Sequence, residues 1–211
     1  MARLTQGILG GVLGKVGNVV GSSWKGIPVI KAMPLSVANP RTALQVAQRT
    51  KMTYCVDYGL NILTRIIKPL NDRFAQKASG WNDYVRRNIH LFSGISPSPA
   101  KDLIISVGKM EAPILAASRK AGGGDPAVIV SWTSPSDPYS LPEDLVYCFI
   151  YQASSGSWLF PQSWQTRSAT GYTFEASNDF DIEEPFEVYA AFRRADGTVV
   201  SSTGYVHSDG V

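Results

Sequence analysis

Gly14–Lys15 sits in a stretch with a glycine at almost every third position and is the first place where this 211-residue chain could do chemistry. A phosphate loop sets a glycine five residues before its Gly-Lys pair and a Ser or Thr after it, so that backbone amides cradle the phosphate. Leu9 and Val16 stand there instead, and no Gly-x-Gly-x-x-Gly triplet opens a dinucleotide site. His90 and His207, the only histidines, fall in no metal-ligand or triad spacing, and nothing resembles a nucleophile elbow. Asp179, Asp181 and Glu183 alternate with Phe180 and Ile182, but they lack the glycine turn and the twelve-residue loop of a calcium site. Such alternation is the ordinary signature of a half-exposed strand or its flank. The expectation is no catalytic residue, no cofactor and no metal.

Two further groups could bind rather than react. Arg41, Arg49, Lys51, Arg65, Lys68, Arg73, Lys77, Arg86 and Arg87 could contact phosphates, yet they do not share one helical side and no stacking platform accompanies them. Nucleic acid is therefore a weaker expectation than a solvated or salt-bridged face. Trp158, Phe160 and Trp164, with Tyr172 nearby, are candidate surface-ligand aromatics for a sugar platform; packing into a core or interface is the commoner fate of such rings.

Elements must position these groups. Seven glycines between Gly7 and Gly26 argue against a helix, while Val16, Val19, Val20, Trp24, Ile27, Val29 and Ile30 suit strands. The spacing predicts a hairpin, Val16–Ser22 and Ile27–Ala32, turning near Trp24–Lys25–Gly26, with Pro28 marking an edge strand. A lone hairpin is marginal in water, so it must dock. Its candidate assembly interface is Lys15, Val16, Val19, Val20, Trp24, Lys25 and Ile27, on its own chain or on a neighbour. Read as an export signal, the start is too diluted by Thr5, Gln6 and glycine, and no Ala-x-Ala site follows.

Asn39 or Thr42 can cap a following helix, with Pro40 in its first turn. Met52, Val56, Leu60, Leu63 and Ile67 then recur at helical spacing up to Pro69. Leu70, Phe74, Ala78, Trp81, Val85 and Ile89 form a second stripe, and the two predict an antiparallel helical hairpin. Beyond Lys101 the expected strands are Asp102–Val107, Ala127–Trp132, Leu145–Gln152, Gly171–Ala176 and Phe186–Arg193. An Asp196–Gly197 turn joins the last of these to Val199–Tyr205. About seven short strands with turns near every ten residues match an immunoglobulin-like sandwich of the fibronectin type. The expected class is α+β: a glycine-rich β-hairpin (1–34), a helical hairpin (35–100) and an immunoglobulin/fibronectin-like β-sandwich (101–211).

Charge divides the chain the same way. Residues 1–100 carry 13 Lys/Arg against 3 Asp, a net +10, and residues 101–211 carry 7 against 14 acids, a net −7. A basic half can meet an acidic partner, including the acidic half of another copy. Cys55 and Cys148 are too few for a disulfide framework and read as small buried residues. No run of about 18 apolar residues is present to span a bilayer.

Gly7–Ile8–Leu9–Gly10–Gly11, Gly14–Lys15–Val16–Gly17, Val19–Val20–Gly21 and Trp24–Lys25–Gly26 together resemble the opening of DUF6266, a family of unknown function known from Bacteroidetes genomes and their phages. Its members resemble this chain along nearly the whole length. Separately, Asn39–Pro40–Arg41–Thr42 followed by Gln45, Gln48, Arg49 and Lys51 is similar to a stretch in small phage virion proteins. The resemblance implies a setting: a non-enzymatic virion component, made in the host cytoplasm, with Lys15, Trp24, Lys25 and Gly26 in an assembly role. Its partners would be its own copies, other virion proteins and a host surface glycan. An exported bacterial surface or periplasmic binding protein with an immunoglobulin-like domain is the alternative, and nucleic-acid contact through the basic half is the second.

Overall fold

Gly17 and Asn18 reverse the chain between β2 (Val12–Val16) and β3 (Val19–Trp24), with Gly17 in the left-handed region at φ 55°. A two-residue hairpin loop of this kind favours glycine because a Cβ is strained there. The computed structural model describes residues 3–4, 11–24, 27–36, 39–75, 78–120, 126–133, 137–176 and 179–209. β4 (Ile27–Ala32) pairs antiparallel with β3 from Val19↔Ala32 to Trp24↔Ile27, and β1 (Arg3–Leu4) pairs with β2. The opening is thus a four-stranded sheet in the order β1-β2-β3-β4, in which the predicted hairpin is the β3–β4 pair and β1 and β2 extend it. The expected strand Val16–Ser22 is split because Gly17–Asn18 is itself turn chemistry. Gly21 answers what the repeated glycines do: a Cβ there would lie 2.0 Å from the Val12 carbonyl oxygen, so a side chain would force β2 and β3 apart. Pro28 lies on the outermost strand, as its missing N–H requires.

The chain divides into two units, residues 1–45 and 46–211, with the boundary inside α1 (Ala43–Ile62). Thr42 caps α1 reciprocally: the Gln45 amide donates to Thr42 Oγ1 and the Thr42 amide donates to Gln45 Oε1, both at 3.4 Å. A π-helical turn at Leu63–Ile67 follows, then α2 (Lys68–Asn71) with Pro69 in its first turn. Proline has no N–H and its ring crowds the carbonyl four residues back, so the widened turn absorbs Pro69 where a break was expected.

The second predicted helix is not continuous. Chain beyond Asn71 turns, Ser79 accepts from the Asn82 amide as a new N-cap, and α3 covers only Gly80–Asn88. The predicted stripe has the right period, but its phase holds only toward its end, where Leu63 packs on the core and Ile67 is fully buried. Met52 and Leu60 are exposed, whereas Cys55, Tyr58, Gly59, Ile62 and Ile66 are buried.

Within residues 46–211 one sheet is buried on both faces. β7 (Leu145–Gln152) pairs with β11 (Phe186–Arg193) on one side, and with β8 (Ser157–Leu159) and β9 (Gln165–Thr166) on the other. β12 (Gly204–Ser208) completes this sheet beyond β11. Val146, Cys148, Ile150, Val188, Ala190 and Phe192 join a core with the three-stranded sheet of β10 (Gly171–Glu175), β6 (Ala127–Thr133) and β5 (Ile114–Lys120). Tyr147, Phe149, Tyr151, Tyr189 and Ala191, the alternate residues, join a second core with α1, α2, α3 and Ile105. Alternation along a strand puts each set on its own face, so three layers share two cores. The class is α+β, and the fall from basic to acidic near residue 100 lies inside this unit.

Asp102–Val107 is not a strand. The Asn88 carboxamide donates to the Ile104 carbonyl and accepts from its amide, both at 2.8 Å, and Asn71 Nδ2 donates to the Ile105 carbonyl at 2.8 Å. Thr203 Oγ1 accepts from the Ile105 and Ser106 amides. Side chains therefore satisfy the backbone that a ladder would have used. The strand expected from Val199 begins only at Gly204, although the Asp196–Gly197 turn forms, with Gly197 at φ 69°.

Candidate functional site

β7 displays Tyr147, Phe149 and Tyr151 toward the helices at every second residue, and the segment after it returns to cover them. Trp164 packs on Tyr147 with ring centroids 4.6 Å apart, Phe160 on Phe149 at 6.1 Å, and Trp158 on Tyr151 at 4.5 Å. All three predicted surface aromatics are thus rungs of one aromatic ladder, half-buried against the core. Arg65 from the π-helical turn lies over the Phe160 ring at 5.0 Å, which uses that face.

Trp158 also lines open space. A cleft of about 370 Å³ lies between α1, the β7–β8 hairpin and Ile95. From α1 it takes Tyr54, Asp57, Tyr58 and Asn61, spaced by three, four and seven residues along one helical face. From the hairpin come Tyr151, Gly156 and Trp158. Tyr58 makes edge contacts with Tyr151 and Trp158 at 4.9 and 4.6 Å, and burial raises its hydroxyl pKa well above the usual tyrosine value. Tyr151 Oη shares a hydrogen bond of 2.8 Å with Ser96 Oγ. Asn61 Nδ2 donates to the Asp57 carbonyl at 3.0 Å. Sequence reasoning missed Tyr54, Asp57, Tyr58 and Asn61, although their spacing was a readable signal once the phase of α1 was known.

The predicted assembly residues divide between the two faces of the N-terminal sheet. Alternation from the pairings Lys15↔Val20 and Val16↔Val19 puts Lys15, Val20 and Ile27 on one face and Val16 and Val19 on the other. Val16 is 57% exposed and Ile27 58% exposed. Ile30, which that set omitted, is 64% exposed on the face of Val16. Lys25 and the side chain of Trp24 lie outside the described residues, as do Gly26 and Gly7–Gly10.

Other candidates are engaged locally. Asp83 pairs with both Arg86 and Arg87, and Arg73 Nη1 donates to the Asp196 carbonyl at 3.0 Å. Lys77 lies outside the described residues. His207 bridges Glu187 and Asp209, at 2.9 and 3.1 Å, while exposed His90 lies beyond α3. The Asp181 carboxylate accepts from the Glu183 amide at 2.9 Å, and buried Gln152 holds the Asp181 backbone from both sides. Among the described residues no three His, Cys, Asp or Glu side chains converge as a metal site. No described helix is long and apolar enough to cross a membrane.

One buried ion pair was not legible beforehand. Arg167 Nε lies 3.4 Å from Asp144 Oδ2, the two residues being 6% and 1% exposed, and the guanidinium sits 3.8 Å over Phe192. Burial lowers the Arg167 pKa and Asp144 opposes that shift. No curated protein and no solved structure matches this chain. A family model does match, over residues 11–207, and the chain belongs to that family: DUF6266, a family of unknown function.

Proposed function

We propose that this chain is a non-enzymatic assembly protein, a phage virion component that docks through its N-terminal sheet onto a second copy or another virion protein. The observation carrying this reading is β4. Every residue from Ile27 to Ala32 is exposed, and among the described residues β4 pairs only with β3. An apolar edge strand exposed on both faces is what strand addition uses. Residues 1–45 also hold five basic residues and no acid, which suits them to an acidic surface on a partner such as one built by residues 101–211 of another copy. The virion setting rests on the likeness of Asn39–Pro40–Arg41–Thr42, with Gln45, Gln48, Arg49 and Lys51, to a stretch of small phage virion proteins. In this reading the two sheets built from β5 to β12 are an immunoglobulin-like sandwich facing outward, supported by their antiparallel pairing and common core.

Light scattering after size exclusion, across a wide range of concentrations, tests the reading. A discrete oligomer, or a mass that grows with concentration and falls back in Ile27→Asp/Ile30→Asp, is expected. A constant 22.9 kDa monomer at every concentration overturns it.

A further inference from the structure

We infer that the cleft between α1 and the β7–β8 hairpin binds a saccharide. Small-molecule sites are concave, mostly apolar, and carry a few convergent polar groups in a volume of roughly 300–1,000 Å³. This cleft has that make-up: half-buried Tyr54 and Trp158 supply ring surface, buried Tyr58 and Tyr151 back it, and Asp57 and Asn61 supply acceptors one helical turn apart. A pyranose has the matching chemistry, with one face of C–H groups for a ring and hydroxyl donors at its edge for a carboxylate and an amide oxygen. Gly156 lines the cleft with no side chain, and a Cβ there would meet nothing within 4 Å, so the hairpin wall stands open.

An organic cation is the competing ligand for aromatic rings beside a carboxylate. The geometry disfavours it. A cation cage needs ring faces standing around an empty centre. The centroids of Tyr58, Tyr151 and Trp158 are only 4.5 to 4.9 Å apart, so these rings fill the space between themselves. What they leave is a wall, and a wall suits a flat ring.

This inference is independent of the assembly reading: a strict monomer can bind a sugar, and an oligomer can fail to. The experiment is calorimetric titration of the full chain, with tryptophan fluorescence alongside. The probes are glucose, galactose, mannose, N-acetylglucosamine, maltose and cellobiose, with tetramethylammonium chloride for the cation. At least one sugar is expected to give saturable heat and a fluorescence shift. Asp57→Ala and Asn61→Ala, both at exposed positions, should each weaken it about tenfold, the scale of one lost hydrogen bond to a charged or amide acceptor, with unfolding midpoints unchanged. Trp164→Phe, outside the cleft, should bind like the parent. Absence of binding by all six sugars overturns the inference. So does parental affinity in both helix variants, or binding of tetramethylammonium alone.

Discussion

β4 and β7 are both strands rich in β-branched and aromatic or aliphatic residues, yet they live in opposite surroundings. All six residues of β4 are exposed, whereas seven of the eight in β7 are buried. The difference is in what lies above and below. β7 is a central strand with a sheet on one face and helices on the other, so nearly every position is apolar. β4 is an edge strand containing a proline, in a sheet whose other strands carry glycine where a core side chain would stand. Apolar content alone cannot distinguish a strand that builds a core from one that stands exposed at an edge.

Breaking β7 should have the largest effect. Phe149, fully buried against Trp158, Phe160 and Tyr189, should cost about 3–5 kcal/mol as Phe149→Ala in urea unfolding. Asp144→Ala strands the buried Arg167 charge and should cost a similar 3–5 kcal/mol, with Asp144→Ala/Arg167→Met recovering much of it. Gly59→Ala tests the helical layer over β7. Its Cβ would lie 2.6 Å from Tyr84 Cε1 and 2.8 Å from Trp81 Cζ3, an overpacking worth about 1–3 kcal/mol.

A pH series sharpens the same contrast. Burial pushes the Cys148 thiol, on the face of β7 that meets the three-stranded sheet, from 9.0 up to about 12. Above pH 9 the unfolded chain gives up that proton while the folded chain keeps it, so the stabilisation is complete below 9 and is lost progressively toward 12. The slope for this thiol is about 1.4 kcal/mol per pH unit in that window, and Cys148→Ala should remove it from the pH dependence of the urea midpoint. Smallest of all, Ile30→Ala in β4 should change monomer stability by less than about 0.5 kcal/mol while lowering the oligomer fraction in light scattering.

Much of the element inventory was readable. Ala127–Trp132, Leu145–Gln152, Gly171–Ala176 and Phe186–Arg193 all fall on observed strands, displaced by a residue at most. β5 was missed, although Ile114–Lys120 pairs along its full length with β6: its Ala-Ala-Ser centre has little strand propensity, and pairing with β6 supplies the rest. For the cleft, the rings of Trp158 and Tyr151 were visible as residue types, but nothing local told that α1 turns Asp57 and Asn61 toward them.

The sequence by itself determined the α+β class, the turn at Asp196–Gly197, a helix start between Asn39 and Thr42 and the edge position of Pro28. Each of these follows from the conformational limits of a few adjacent residues. Tertiary structure alone decided the phase of α1, the loss of the Asp102–Val107 strand to Asn71, Asn88 and Thr203, and the stacking of Trp158, Phe160 and Trp164 along β7. Those outcomes depend on partners distant in the chain, and a period or a residue type carries no information about which partner arrives.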